Sequence, residues 1–411
     1  MIRYRSFFVN GRDWDAKLKY ILFLVWPFGS FIYALRNIQS RSSQIVFFLI
    51  CAAFGLCIET KNETFDMTRI TEEFLSYRYV NFDFLYNEIV DSIQGVGDRD
   101  IYDKILFWIV NQMSSNEHVF WMIASMVYAF FYLKSLSFVL KDDKFHSCLI
   151  GFMIVFMFTM PQPIFTVTGL RFWTAGWLAV LCTLQILKNN NCKYVLFLLL
   201  TPFVHVTYWI YVFLFFLVYI TKKCEKILIC VLFMSYPFSY LSMSLVTDII
   251  GLNLLPPSLE LVALSYTDAN HIADFNQKGV GWTWLEDIFD MMLSSYYLIM
   301  AFWLIKHRKL MECADRKIFH FILIVYSFAN FTLLVPHLGI RYLGFVNILL
   351  PYLWLRTFGL NRYKLFIYLY PLCALFYLIR TRLFAHYASV LDSDFLYDSS
   401  LVMLIDKLYY Y

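Results

Sequence analysis

The sequence predicts an all-α fold: a polytopic integral membrane bundle of about eleven or twelve spans, some short or broken, forming a single transmembrane domain over residues 1–411. Three observations lead there. The chain is 60% hydrophobic and 20% aromatic. Charged residues make up 16%, well below the roughly one quarter of soluble proteins. Apolar runs approach the ~20 residues a membrane helix needs.

The candidate spans are 19–36, 45–58, 118–139, 147–160, 164–187, 194–204, 207–220, 227–246, 285–305, 318–335, 342–358 and 364–380. The first is interrupted by "WPFGS" and reads either as a full crossing or as a re-entrant hairpin. Within 194–220, "TPFVHVTY" carries Pro202 and His205, so that run divides into two short helices joined by a tight turn. "FTMPQPIF" at 158–165 is a second corner, because two prolines one residue apart do not fit a regular helix.

Lysine and arginine in the short loops orient the bundle. One face collects Arg36/Arg41, Lys141/Lys144, Lys188/Lys193, Lys222/Lys223/Lys226, Lys306/Arg308/Lys309/Arg316/Lys317 and Arg356/Arg362/Lys364, which makes it cytoplasmic. The outer face receives the proline corner, the His205 turn, "PHLGIR" at 336–341 and two long loops, 59–117 and 247–284. Arg3, Arg5, Arg12, Lys17 and Lys19 prefer the cytoplasm, which a full first crossing denies them. In the first outer loop, 100–113 "DIYDKILFWIVNQM" sets Ile101, Ile105, Trp108 and Ile109 on one face and Asp103 and Lys104 opposite, an interfacial helix pattern.

Several classes are excluded. The N-terminus has no secretory-signal pattern, and no fixed-period repeat, phosphate loop, nucleophile elbow or nucleic-acid-binding stripe is present. The nine cysteines lie in apolar spans or short basic loops without metal-ligand spacing, so they read as packing residues or free thiols. No cofactor or metal is expected.

The chemistry concentrates on the outer side. Arg171 sits in "TVTGLRFWTAGWL", seven residues into span 164–187 and so roughly 10 Å below the outer surface. A charge at membrane depth costs ~2.5–3.5 kcal/mol and normally marks a function, although pairing with a buried carboxylate is its structural alternative. Asp66 follows the second span, His205 occupies its turn, and Arg341 opens the span after "PHLGI". Two guanidiniums grip and neutralise a diphosphate leaving group, an imidazole takes a proton from an attacking hydroxyl, and a carboxylate orients that imidazole or is itself the base. His205 satisfying a freed carbonyl and Arg341 snorkelling are the bland readings. Trp282 and Trp284 in "GVGWTWLED" either stack on sugar rings or anchor the interface.

The order of these motifs resembles the EpsG-like family of Wzy-type polysaccharide polymerases. An early "WPFGSFIYALRN" span is followed by "FDMTR" at 65–69, "LRFWTAGWLA" at 170–179, "FVHVTYW" at 203–209 and "GIRYLGF" at 339–345, so the likeness runs over roughly residues 18–380. It implies a GT-C-like glycosyltransferase that polymerises undecaprenyl-diphosphate-linked oligosaccharide repeat units into exopolysaccharide, O-antigen or capsule. It places the chain in a bacterial inner membrane with its active side outward, beside a Wzx-type flippase and a chain-length regulator. Carried over at matching positions, it implies His205 and Asp66 as catalytic, and Arg171, Arg341 and Arg69 as diphosphate-binding. Val206 stands where the family histidine is commonly followed by a small hydroxyl residue. The rivals are a flippase or transporter for the same lipid-linked glycan, and a ligase or acyltransferase using the same carrier.

Overall fold

The computed structural model describes residues 5–59, 66–94, 100–252, 260, 264, 267, 283–335, 337–377 and 394–409. These residues are helical, with no β-strand among them. In chain order the helices are α1 (Arg5–Val25), α2 (Pro27–Leu35), α3 (Arg41–Leu56), α4 (Asp66–Ser76), α5 (Phe82–Gln94), α6 (Ile101–Asn111), α7 (Glu117–Leu140), α8 (Leu149–Thr159), α9 (Leu170–Leu187) and α10 (Tyr194–Val204). There follow α11 (Tyr208–Thr221), α12 (Glu225–Ser235), α13 (Ser242–Gly251), α14 (Thr283–Lys306), α15 (Cys313–Phe331), α16 (Leu338–Phe358), α17 (Lys364–Tyr377), α18 (Asp394–Tyr397) and α19 (Ser400–Tyr409).

Among the described residues, four helices are long and apolar enough to cross a membrane: α7, α9, α14 from Ile288, and α16. A fifth arises if α12 and the segment Ser239–Gly251, which meet at 75°, count as one bent span. The expectation of eleven or twelve spans therefore shrinks. Apolar helices do form near the other expected positions, but α8 and α10 have only 11 residues each, ~16 Å of rise against ~30 Å of hydrocarbon.

The first segment turns back on itself. Pro27 opens α2 immediately after Trp26, and Ser30 Oγ donates to the Lys19 carbonyl (2.8 Å) while Tyr33 OH donates to Asp15 (3.1 Å). Contacts pairing 30 with 19 and 33 with 15 are those of an antiparallel hairpin. Lys19, buried, binds Asp15 and reaches Ser40 and Ser42 at the start of α3. The hairpin thus returns the N-terminal lysines to the end where α3 begins, the arrangement their charge prefers.

Close helix approach builds the interior. A Cβ on Gly55 of α3 would lie 2.3 Å from the Trp121 carbonyl and 2.4 Å from Ser125 Oγ of α7, so only glycine lets the two backbones meet there.

At one end of the bundle, Arg356 gathers four carboxylates: Asp142 (3.0 Å), Asp143 (2.7 Å), Glu312 (2.7 Å) and Asp315 (3.2 Å). Lys188 adds Asp315 at 2.7 Å, and Lys144 donates to the Arg356 carbonyl. The guanidinium on α16 thus fastens the α7–α8 loop and the start of α15, and Lys188 ties the end of α9 to the same cluster. Arg356 draws the Glu312 carboxyl below its ordinary range, while burial pushes Asp142 up. Removing one partner from such a cluster strands buried charge. Arg356→Ala is expected to lower the unfolding free energy by about 3–5 kcal/mol, read as a drop in the thermal midpoint in detergent. A midpoint equal to wild type contradicts the fastening role.

Candidate functional site

The opposite end is built on the proline corner. A corner at Pro161–Pro163 leaves carbonyls without helical donors, and the Tyr128 hydroxyl of α7 serves them, lying 3.0 Å from the Gln162 carbonyl and 2.9 Å from that of Pro163. It also accepts from Trp177 Nε1 (2.8 Å). Residues 164–168 form a 3-10 turn, and α9 starts only at Leu170. Arg171 is therefore in the first turn of its α-helix rather than seven residues along it. The cause is the corner: the 3-10 turn delays the α-helix to Leu170, so the guanidinium stands at its open N-terminal end.

Arg171 has partners that the sequence left unnamed. Its Nη1 lies 3.4 Å from Asp100 Oδ2 and 3.3 Å from Asp103 Oδ2, both on or beside α6. The α6 helix therefore presents its polar side to Arg171. Asp103 is 0% exposed, while Ile105 and Ile109 of the apolar stripe are 37% and 47% exposed. An uncompensated guanidinium is costly, and the ion pair keeps Asp103 inward.

Asp100 does a second thing. Its Oδ1 accepts from the Val206 N–H (2.9 Å), in the turn that carries His205. That turn is further held by Tyr342 OH donating to the Thr207 carbonyl (2.9 Å), while Tyr208 OH donates to the Phe172 carbonyl (2.7 Å). His205 itself is extended, at φ −154°, and ends α10. Its Nδ1 receives the Thr207 N–H (3.3 Å) and lies 2.9 Å from Thr207 Oγ1. The hydroxyl residue displaced by one position in the sequence thus reaches the imidazole all the same.

Phe172 organises the next pair. The Arg341 guanidinium stacks over its ring at 4.8 Å, and the His205 ring meets it edge-on at 5.3 Å. Arg341 has no carboxylate partner within ion-pair distance among the described residues. It lies one turn after His337, whose carbonyl accepts from the Arg341 N–H (3.2 Å). His337 adopts φ 59°, a left-handed conformation that non-glycine residues rarely occupy and that is often retained at functional sites.

A cavity of about 570 Å³ opens between these elements, within the size range of small-ligand sites. Asp66, Arg171, His205 and Arg341 all line it, joined by Trp173, Asp290, Ser294 and His337. Arg69 does not. At i+3 and i+4 spacing on α4 it pairs with Asp66 (2.5 Å) and Glu73 (3.8 Å) and points to the exposed side. Trp282 and the Trp284 side chain lie outside the described residues, as does most of the loop 247–284. No group of three or more His, Cys, Asp or Glu is placed to hold a metal among the described residues, and no disulfide joins any of the nine cysteines.

No family model, curated protein or solved structure matches the chain. The site is therefore interpreted from its own geometry.

That geometry revises the division of labour between the arginines. Arg171 is largely committed to two carboxylates, and Arg341 is the guanidinium offered to the cavity. Sequence reading missed Asp100, Asp103, Asp290, Trp173 and Phe172 as site residues. The Asp100–Asp103 spacing of three at a helix start was the available signal for the first two; Phe172, one aromatic among many, offered none.

Burial pushes the Asp103 carboxyl up to about 7 from an ordinary 3.8, against the opposing pull of Arg171. A folded-state value above the unfolded one means that the protonated acid is favoured by folding. Its contribution is full below about pH 4 and is lost as pH rises through 7. The thermal midpoint should therefore fall between pH 5 and about pH 8 in the wild type, and Asp103→Asn should flatten that slope. An unchanged slope in the variant would show that Asp103 does not titrate there.

Proposed function

We propose that this chain is a membrane glycosyltransferase of the Wzy type, GT-C-like in architecture, that polymerises undecaprenyl-diphosphate-linked oligosaccharide repeat units on the outer face of a bacterial cytoplasmic membrane. One observation carries the reading: Asp66, Arg171, His205 and Arg341, separated in sequence and chosen for diphosphate chemistry, line one cavity.

In the proposed displacement, the acceptor hydroxyl oxygen bonds to the donor's anomeric carbon as the bond from that carbon to the diphosphate oxygen breaks. The diphosphate leaves with the electron pair, and Arg341 neutralises it. Arg171 contributes mainly by holding α6, and through Asp100 the His205 turn. The hydroxyl proton passes to His205 Nε2, which requires the tautomer with Nδ1–H donating to Thr207 Oγ1. In the other tautomer, favoured by the Thr207 N–H, Nε2–H donates to a phosphate oxygen instead. Asp66, at the cavity rim, is the second acceptor for the proton.

The prenyl chain stays in the bilayer while the diphosphate enters the cavity. Partners implied by this reading are a Wzx-type flippase that delivers the lipid-linked unit and a chain-length regulator.

Arg341→Ala and His205→Ala are each expected to reduce polymer formation by about 100-fold or more, seen as lost ladders on a gel. Single lipid-linked units should then collect on the outer leaflet. Units trapped on the inner leaflet would instead identify a flippase, and full ladders in both variants would end the enzymatic reading.

A further inference from the structure

The cavity is lined by charges of opposite sign from different elements. Arg171 and Arg341 reach it from the first turns of α9 and α16, with His205 beside them. On α14 the lining residues are Asp290, Leu293, Ser294 and Tyr297, which puts a carboxylate, a hydroxyl and a phenol at i, i+4 and i+7 on one helix face. Asp290 lies in a helix long and apolar enough to span a membrane, where an acidic side chain turned toward a polar cavity normally serves a ligand. A carboxylate and a serine hydroxyl are suited to accept from the paired hydroxyls of a sugar.

Trp173 supplies an apolar surface for the same ligand. It follows Phe172, which it meets edge-on at 4.6 Å, and it lines the cavity. A Cβ on Gly169 would lie 2.8 Å from its Cδ1, so the ring lies across the glycine that ends the 3-10 turn. The face of an indole is negatively polarised and attracts the positive C–H edges of a pyranose. A ligand that fits this cavity carries anionic charge at one end and a ring rich in hydroxyls and C–H bonds next to it.

We infer that Trp173, Asp290 and Ser294 form a sugar-binding subsite adjoining the anion position at Arg341. The subsite selects the glycan, and Arg341 recognises the diphosphate whatever sugar it carries. This deepens the glycosyltransferase reading and rests on it for the joining of sugar to diphosphate.

The test uses the full chain in lipid nanodiscs and two probes: undecaprenyl diphosphate, and the same lipid bearing the repeat-unit oligosaccharide of the host's own surface polysaccharide. Wild type should bind the glycosylated lipid about ten-fold more tightly than the bare one. Asp290→Asn and Trp173→Ala should abolish that preference with bare-lipid affinity unchanged, which also reports that they fold. Trp173→Phe should restore part of it. Arg341→Ala should weaken both probes by about ten-fold. A preference retained in Asp290→Asn and Trp173→Ala, or no preference in wild type, overturns the subsite and leaves the diphosphate reading standing. Bare-lipid affinity indifferent to Arg341→Ala overturns the diphosphate reading instead, and failure of wild type to bind either lipid overturns both.

Discussion

Arg171 stands at the mouth of an apolar bundle, and much of the architecture at this end of the molecule follows from how its charge is met. Asp100 and Asp103 approach it from α6, a helix that belongs to the connection between α3 and α7 rather than to the bundle itself. Because Asp100 also accepts from the Val206 N–H, the same carboxylate ties α9 to the turn between α10 and α11. The ion cluster is thus a strut. It places His205 beside Phe172, and Phe172 in turn carries the Arg341 guanidinium.

The two ends of the bundle use charge differently. At the Arg356 end, four carboxylates surround one arginine, with Lys188 and Lys144 adjoining, and the groups satisfy each other. At the cavity end the balance is left open: Arg341 rests on an aromatic face instead of a carboxylate. Stacking on Phe172 holds the guanidinium in place through its face while leaving its N–H groups for a ligand. On the proposed reading, the first end serves stability and the second recognition.

Much of this was legible before any coordinates. Pro161–Pro163 and the Pro202–His205 break both become corners, because a missing N–H and a ring clash are local and survive any tertiary context. The basic residues Lys144, Lys188, Arg308, Arg316 and Arg356 do share an end of the molecule, as loop charge required. The place of Arg171 within its helix was not legible, since a continuous apolar run from 164 does not reveal that its first five residues form a 3-10 turn. The burial of Asp103 was not legible for a related reason: its partner lies 68 residues later in the chain. Asp66, Arg171, His205 and Arg341, singled out as polar groups near one face of the bundle, line one cavity, whereas Arg69, named only through the resemblance, pairs with Asp66 and Glu73 on its own helix.

The account stands on Arg341 receiving the anion that Arg171, already paired, does not. The most direct measurement is a cryo-EM structure of the chain in nanodiscs with undecaprenyl diphosphate bound. The account predicts diphosphate oxygens at about 3 Å from the Arg341 guanidinium, inside the cavity between α9, α14 and α16, with the Arg171–Asp100–Asp103 cluster intact. Diphosphate bound elsewhere with this cavity empty, or seated on Arg171 with both aspartates displaced, would contradict it.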